Sequence, residues 1–182
     1  MWWIIILIIV AVLVLYVIKT YNELVVARNK VKDQFSQIDV QLKRRFDLIP
    51  NLVETVKGYA KHESETLEKV IQARNNYANA KTDAEKIAAS NEMSRGVMNI
   101  MALAESYPDL KANTNFVDLQ NQLKDVEDKI SYARQFYNDT VLMYNNKVEM
   151  FPSNLVASIF KFTKEAFFEA DEKERENVKV KF

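Results

Sequence analysis

Apolar and polar residues follow two different rules along this chain. From Trp2 to Ile18 the residues are uncharged and almost all apolar. From Lys19 onward apolar residues recur mostly every third or fourth position among charged ones, the spacing of amphipathic helices. Leu24, Val31, Phe35, Ile38, Leu42, Phe46, Ile49, Val53, Val56 and Tyr59 or Ala60 keep that phase, and it carries on through Leu67, Val70, Ile71, Arg74 and Tyr77. This predicts one helix over about 20–81, with a kink near 50 where Pro50 removes a backbone bond, and a second loosening point at Gly58. Thr82-Asp83 reads as a turn with Asp83 as N-cap, leading into a helix over about 84–106 that is rich in Ala and Met. Pro108 ends it, and Asp109 to Asn115 reads as the longest loop, with Asn115 capping the next helix. Phe116, Leu119, Leu123, Val126, Ile130, Ala133, Tyr137, Val141, Tyr144 and Val148 then form a nearly unbroken seam over 116–149. A short helix over 154–170 closes the bundle. The tail, 171–182, is charge-dense, with Val178, Val180 and Phe182 alternating like a short strand.

The first regime has three readings: a retained membrane anchor over 1–19, a cleaved signal peptide, or the core helix of a soluble domain. A hydrocarbon core of about 30 Å needs roughly 20 residues, with about 17 as the lower limit. Trp2, Trp3 and Tyr16 suit the interfaces, and Lys19 can extend toward the headgroups. No basic residue precedes the run and no small residues end it, which argues against a signal peptide. The anchor is therefore the favoured reading. Lys19, Arg28, Lys30 and Lys32 all follow the run, so the positive-inside rule puts the N-terminus outside and the following domain, 20–170, in the cytoplasm.

The fold class expected is all-α: a transmembrane helix continuing into a long-helix antiparallel bundle of four-helix type. With two Gly and three Pro in 182 residues there is too little turn punctuation for an all-β fold. Lys plus Arg equals Asp plus Glu at 25 each, so no net field draws the chain to nucleic acid. The absence of Cys excludes disulfides and thiolate chemistry.

Candidate chemistry is sparse. His62 is the one histidine; a zincin would need a second at position 66, which is Thr, and a di-iron bundle needs two Glu-x-x-His units. No catalytic, metal or cofactor site is expected. Lys43-Arg44-Arg45 is the densest basic cluster, but Arg44 lies ~39 Å along a straight helix from Ile18, several Debye lengths of about 8 Å from any headgroup. Arg44 and Arg45 are expected to pair with acids such as Glu54, Glu105, Asp109 or Glu127, with partner binding as the alternative. The polar stretch around Tyr107, Asp109, Asn113 and Asn115 reads either as turn capping or as a recognition loop.

Several strings together carry a resemblance. Tyr21 to Val25, Arg28 to Val31, QIDVQLKRRFDLIPNLVETVKGYAKHE over 37–63, ESYPDLKANTNF over 105–116, YNDTVLMYN over 137–145 and Phe151-Pro152 resemble the LemA family along nearly the whole chain. Phe35 stands where many members carry Trp. The resemblance implies a bacterial single-pass membrane protein with an antiparallel helical domain, located in the inner membrane, and implies no activity. It also suggests membrane-embedded proteases and TPM-domain proteins as genomic neighbours and hence as partners.

Two functional expectations follow. The first is a membrane-anchored scaffold. Its long first helix outruns its partners, leaving an apolar seam at Leu42 and Ile49 through which copies associate, so a homo-oligomer is expected. The second is a stalked sensor with a small ligand held near Pro50 and Gly58. An enzyme, resting on His62 alone, ranks last.

Overall fold

The structure, a computed structural model, describes residues 2–168. Among these residues there are six helices and no strand: α1 (Trp2–Lys57), α2 (Ser64–Asn79), α3 (Asp83–Ala104), α4 (Pro108–Lys111), α5 (Thr114–Glu149) and α6 (Ser153–Ile159). The all-α expectation holds. Tail residues 171–182, including the alternation at Val178, Val180 and Phe182, lie outside the described residues.

α1 is a single 56-residue helix that begins in the apolar run and passes Pro50 in its interior. It stops at Lys57, well short of the expected residue 81. Gly58 opens a turn in which Tyr59 and Ala60 both donate backbone bonds to the Val56 carbonyl, and the chain reverses into α2. The apolar phase survives the reversal because Val56, Ala60, Leu67 and Val70 all face inward on both sides of it. Periodicity alone therefore hid the break. α3 begins with Thr82, not Asp83, as cap. The Thr82 hydroxyl accepts from the Glu85 amide while the Glu85 carboxylate accepts from the Thr82 amide, a reciprocal capping box. The expected 109–115 loop contains the turn of helix α4 instead. α5 is capped by Asn113, whose Oδ1 accepts from the Phe116 amide at 3.0 Å, rather than by Asn115.

The chain divides into two compact units. One is built on Ile38–Tyr132. Here α2 runs antiparallel to α1, since Tyr77 Oη donates to Asp39 Oδ1 at 2.8 Å and Arg74 Nε to the Phe46 carbonyl at 3.3 Å. α3 reverses again beside α2, and Gly96 makes the approach close. A Cβ at Gly96 would lie 2.9 Å from Val70 Cγ2. α5 closes the four-helix arrangement antiparallel to α1, with Arg45 meeting Glu127 and Tyr59 meeting Asn113.

The other unit joins the chain up to Gln37 with Ala133–Phe167. α1 and α5 run antiparallel in it: Lys147 Nζ donates to Glu23 Oε2 at 2.7 Å, and the Phe35 and Tyr137 rings meet edge-on at 5.8 Å. Leu24, Val31, Phe35, Val141 and Tyr144 fill its interior. α6 ends at Ile159 rather than near 170. Lys161 adopts a left-handed conformation (φ 57°), and the Phe162 amide reaches back to the Ala157 carbonyl at 2.9 Å, a helix-terminating pattern that needs no glycine. Residues 162–168 then run without helix as a strap along α5. Tyr144 Oη donates to the Thr163 carbonyl, and Tyr137 Oη to the Ala166 carbonyl. Asn145 both donates to the Glu165 carbonyl and accepts from its amide, each at 2.9 Å.

Candidate functional site

Arg45 is the largest side chain fully buried in the molecule, and the polar centre of its unit lies around it. α1 presents it at one position of the same inward stripe that carries Leu42, Leu52 and Ile49. One guanidinium nitrogen, Nη1, donates to Glu127 Oε2 on α5 at 2.8 Å and to Ser94 Oγ on α3. The other, Nη2, donates to both the carbonyl oxygen (2.9 Å) and the hydroxyl of Ser90. Ser94 Oγ donates in turn to Glu127 Oε1 at 3.1 Å. One guanidinium thus ties three helices together, using the planar fork that a lysine lacks. Taking the charge out of water is costly, and the Glu127 carboxylate, its side chain 41% exposed, supplies the compensating charge from the edge of the interior.

A groove of about 370 Å³ opens beside this cluster, lined by Arg45, Ser94 and Glu127 on its polar side and by Met98, Met101 and Leu123 on its apolar side. Its chemistry suits binding more than catalysis. Ser94 has a carboxylate for a neighbour, but that carboxylate is already engaged by Arg45 Nη1. His62 stands apart in the turn between α1 and α2, exposed to solvent. Among the described residues no group of His, Asp and Glu could hold a metal ion.

The other residues singled out in the sequence distribute as follows. Arg44 is half-exposed and lies 3.6 Å from Asp125, which also accepts from Lys129 at 2.9 Å. Lys43 pairs with Asp47. Each member of the basic cluster therefore has an acid within the chain, and of the acids expected for the arginines it is Glu127 that is used. Leu42 and Ile49 are completely buried inside the chain's own unit, so the outward seam expected at these positions is absent. The stripe they share with Arg45 faces α3 and α5, where Ser90, Ser94 and Glu127 meet that side chain. Tyr107 and Asn113 act at the corner where α1 ends. Tyr107 Oη donates to Glu63 at 3.2 Å, and Asn113 Nδ2 donates to Tyr59 Oη at 2.9 Å. Asp109 and Asn115 are exposed beside them.

Three features were missed by sequence reasoning: the Ser90 and Ser94 partners of Arg45, Gly96, and the Tyr137–Tyr144–Asn145 set that holds the strap. Ser90 and Ser94 share one face of α3 at i,i+4 spacing, a signal present in the sequence. Tyr77 belongs to the same interior. Burial, and then its hydrogen bond to Asp39, push its phenol well above the ordinary value of 10.0. Glu23, by contrast, is held below the usual carboxylate value by its hydrogen bond to Lys147.

The first stretch of α1 has the length and hydropathy of a membrane span, with 6% of its most apolar window buried by the rest of the chain. A core helix would be covered; this one is bare. The class of protein is thus an all-α bundle protein carrying a candidate N-terminal membrane span on the same helix as its first bundle arm. The family model described as "LemA family" matches residues 34–182, and the chain belongs to the LemA family. Protein LemA of Metamycoplasma hominis is 31% identical over 160 residues, covering 86% of this chain and 72% of that protein. Magnetosome proteins MamQ 1 and MamQ 2 of Paramagnetospirillum magneticum are each 25% identical over 83 residues, covering 46% of this chain and 30% of theirs.

Proposed function

We propose that this chain is a membrane-anchored helical scaffold whose domain self-associates and presents its α4 corner to partners. The observation that supports this most is the continuity of α1: the apolar run and the first bundle arm are one helix, so the bundle is tethered at the bilayer. The domain then sits in the cytoplasm, as the lysines and arginine after Ile18 direct, in the inner membrane of a bacterium. Self-association moves from Leu42 and Ile49 to α5. There Phe136 and Met143, at i and i+7, are 63% and 68% exposed and put two large apolar side chains on one face. Confinement to a bilayer raises the effective concentration, so a modest face suffices. Membrane-embedded proteases and TPM-domain proteins are the proposed partners, with exposed Asp109 and Asn115 at the α4 corner as the contact. No catalytic step, cofactor or nucleic acid enters this reading.

Mass measurement of the full-length protein in nanodiscs tests it. A discrete oligomer is expected, collapsing to monomer in the Phe136→Glu, Met143→Glu double variant with helical circular dichroism unchanged. A monomeric native protein, or an oligomer indifferent to both substitutions, would overturn the self-association. The ligand-binding sensor ranks second, because Arg45, Ser94 and Glu127 at the Arg45 groove are already engaged with one another.

A further inference from the structure

The α5–α6 corner carries exposed apolar surface that neither the fold nor the scaffold reading uses. Residues 150–160 contain no charged side chain. Met150, Phe151, Leu155 and Ile159 are 62%, 78%, 55% and 70% exposed, while Val156 and Ala157 on the opposite side are buried. The corner also has a fixed level along α1. Ser153 and Lys147 share a recess of about 240 Å³ with Tyr16, Lys19 and Thr20, the turn where the apolar run ends. The Phe160 ring lies 4.7 Å from that of Tyr21, one turn further on. The exposed apolar side chains therefore belong to a corner that packs beside the end of the apolar run.

We propose that this corner is a second membrane contact: Met150, Phe151, Leu155 and Ile159 enter the interfacial zone of the leaflet from which α1 emerges. The proposal rests on the reading of the apolar run as a membrane span. An uncharged stretch with one apolar face, set level with the headgroups, partitions about 5–10 Å into the headgroup and acyl boundary. Glu149, paired with Lys164, and Lys161 border it; Lys147 is engaged by Glu23, so Lys161 is the ammonium group placed to reach the phosphates. Water is the costly alternative for this much apolar surface, and the bilayer lies on the same side of the unit. The corner also braces the unit on the membrane by two points instead of one helix, which fixes its tilt.

The chain has no cysteine, so single substitutions can be labelled uniquely. Leu7→Cys, Phe151→Cys, Ile159→Cys and Val40→Cys, each bearing a polarity-sensitive fluorophore, are placed in full-length protein in phosphatidylcholine–phosphatidylglycerol nanodiscs. Some of the lipids carry a nitroxide high on the acyl chain. Val40 is exposed and lies ~33 Å along α1 beyond Ile18, so it reports the aqueous baseline. Labels at Phe151 and Ile159 are expected to be quenched several-fold more than at Val40. Quenching at Leu7 with none at Phe151 and Ile159 would overturn the second contact while leaving the span intact. Labels there that are shielded from water yet untouched by the nitroxide lipid would mean that a second copy or another protein covers the corner, and would also overturn it. An unquenched Leu7 label would overturn the span reading and this proposal with it.

Discussion

In the unit built on Ile38–Tyr132, the buried polar group is a charge, and side chains from other helices meet it: Ser90, Ser94 and Glu127 around Arg45. In the unit that holds the apolar run, Thr20 and Asn145 are the buried polar residues described, both neutral, and at Asn145 backbone meets the amide: it takes both hydrogen-bonding groups of Glu165, like one rung of a strand ladder. The difference is physical. A guanidinium taken from water must be matched by an opposite charge and by several acceptors, so it selects a place where three helices converge. An amide carries no charge to compensate, and the C=O and N–H of one residue engage both of its polar ends, which holds a segment with no helix of its own. The first arrangement cross-links helices. The second fastens a strap to one helix.

Substituting the centre of each arrangement tests the contrast. Arg45→Ala leaves a cavity, strips Ser90 and Ser94 of their donor and leaves Glu127 without its partner. A loss of about 3–5 kcal/mol is expected, read by denaturant unfolding of the detergent-solubilised protein, with Arg45→Lys recovering only part. A loss under about 1 kcal/mol would show the cluster to be no more than a surface-type pair.

Asn145→Ala should cost less, about 2 kcal/mol for two neutral hydrogen bonds in a buried setting. Its effect should be local: amide exchange is expected to quicken at 162–168 before it does in α5. Uniform quickening through both would mean that the strap is part of the cooperative core and not fastened onto it.

The smallest effect is expected at the helix start that neither arrangement touches. Thr82→Ala removes the cap of α3 and should cost about 1 kcal/mol. Glu85, the other half of the box, is held below its ordinary value of 4.5 by the Lys81 and Thr82 amides. A carboxyl depressed in the folded state contributes stability above about its unfolded pKa and loses that contribution as pH falls through the folded value. Those two amides are backbone groups that Thr82→Ala keeps, so its gap to the native protein should stay nearly constant with pH, whereas the gap for Glu85→Gln should be full at pH 7 and narrow below about pH 4. A Glu85→Gln gap that is constant with pH would show that the carboxylate charge contributes nothing to the box.

Much of this was legible in the chain. The uncharged run to Ile18, the seam of α5 and the Pro108 break are strong local signals, and each matched an element. The errors arose where a reversal preserved phase or where a helix ended without a marker. Gly58 to Glu63 turns the chain with Val56, Ala60 and Leu67 still at helical spacing, so α2 was read as more of α1. Lys161 ends α6 in a left-handed conformation usually signalled by glycine, so the strap was read as helix. Leu42 and Ile49 read as surplus seam when α1 is drawn on to residue 81, beyond the reach of its partners; in the fold both lie on the stripe that carries Arg45 and are buried.

What the sequence by itself determined was helical class, the N-terminal apolar run and the family, because these rest on periodicity, length and local strings that need no partner. What only the tertiary structure decided was which stripes face inward, that Arg45 is a buried cross-link while neighbouring Arg44 is a surface ion, and that Phe160 meets Tyr21 at the end of the apolar run. Each of these depends on which distant helices meet, and adjacent residues on one helix carry no record of that.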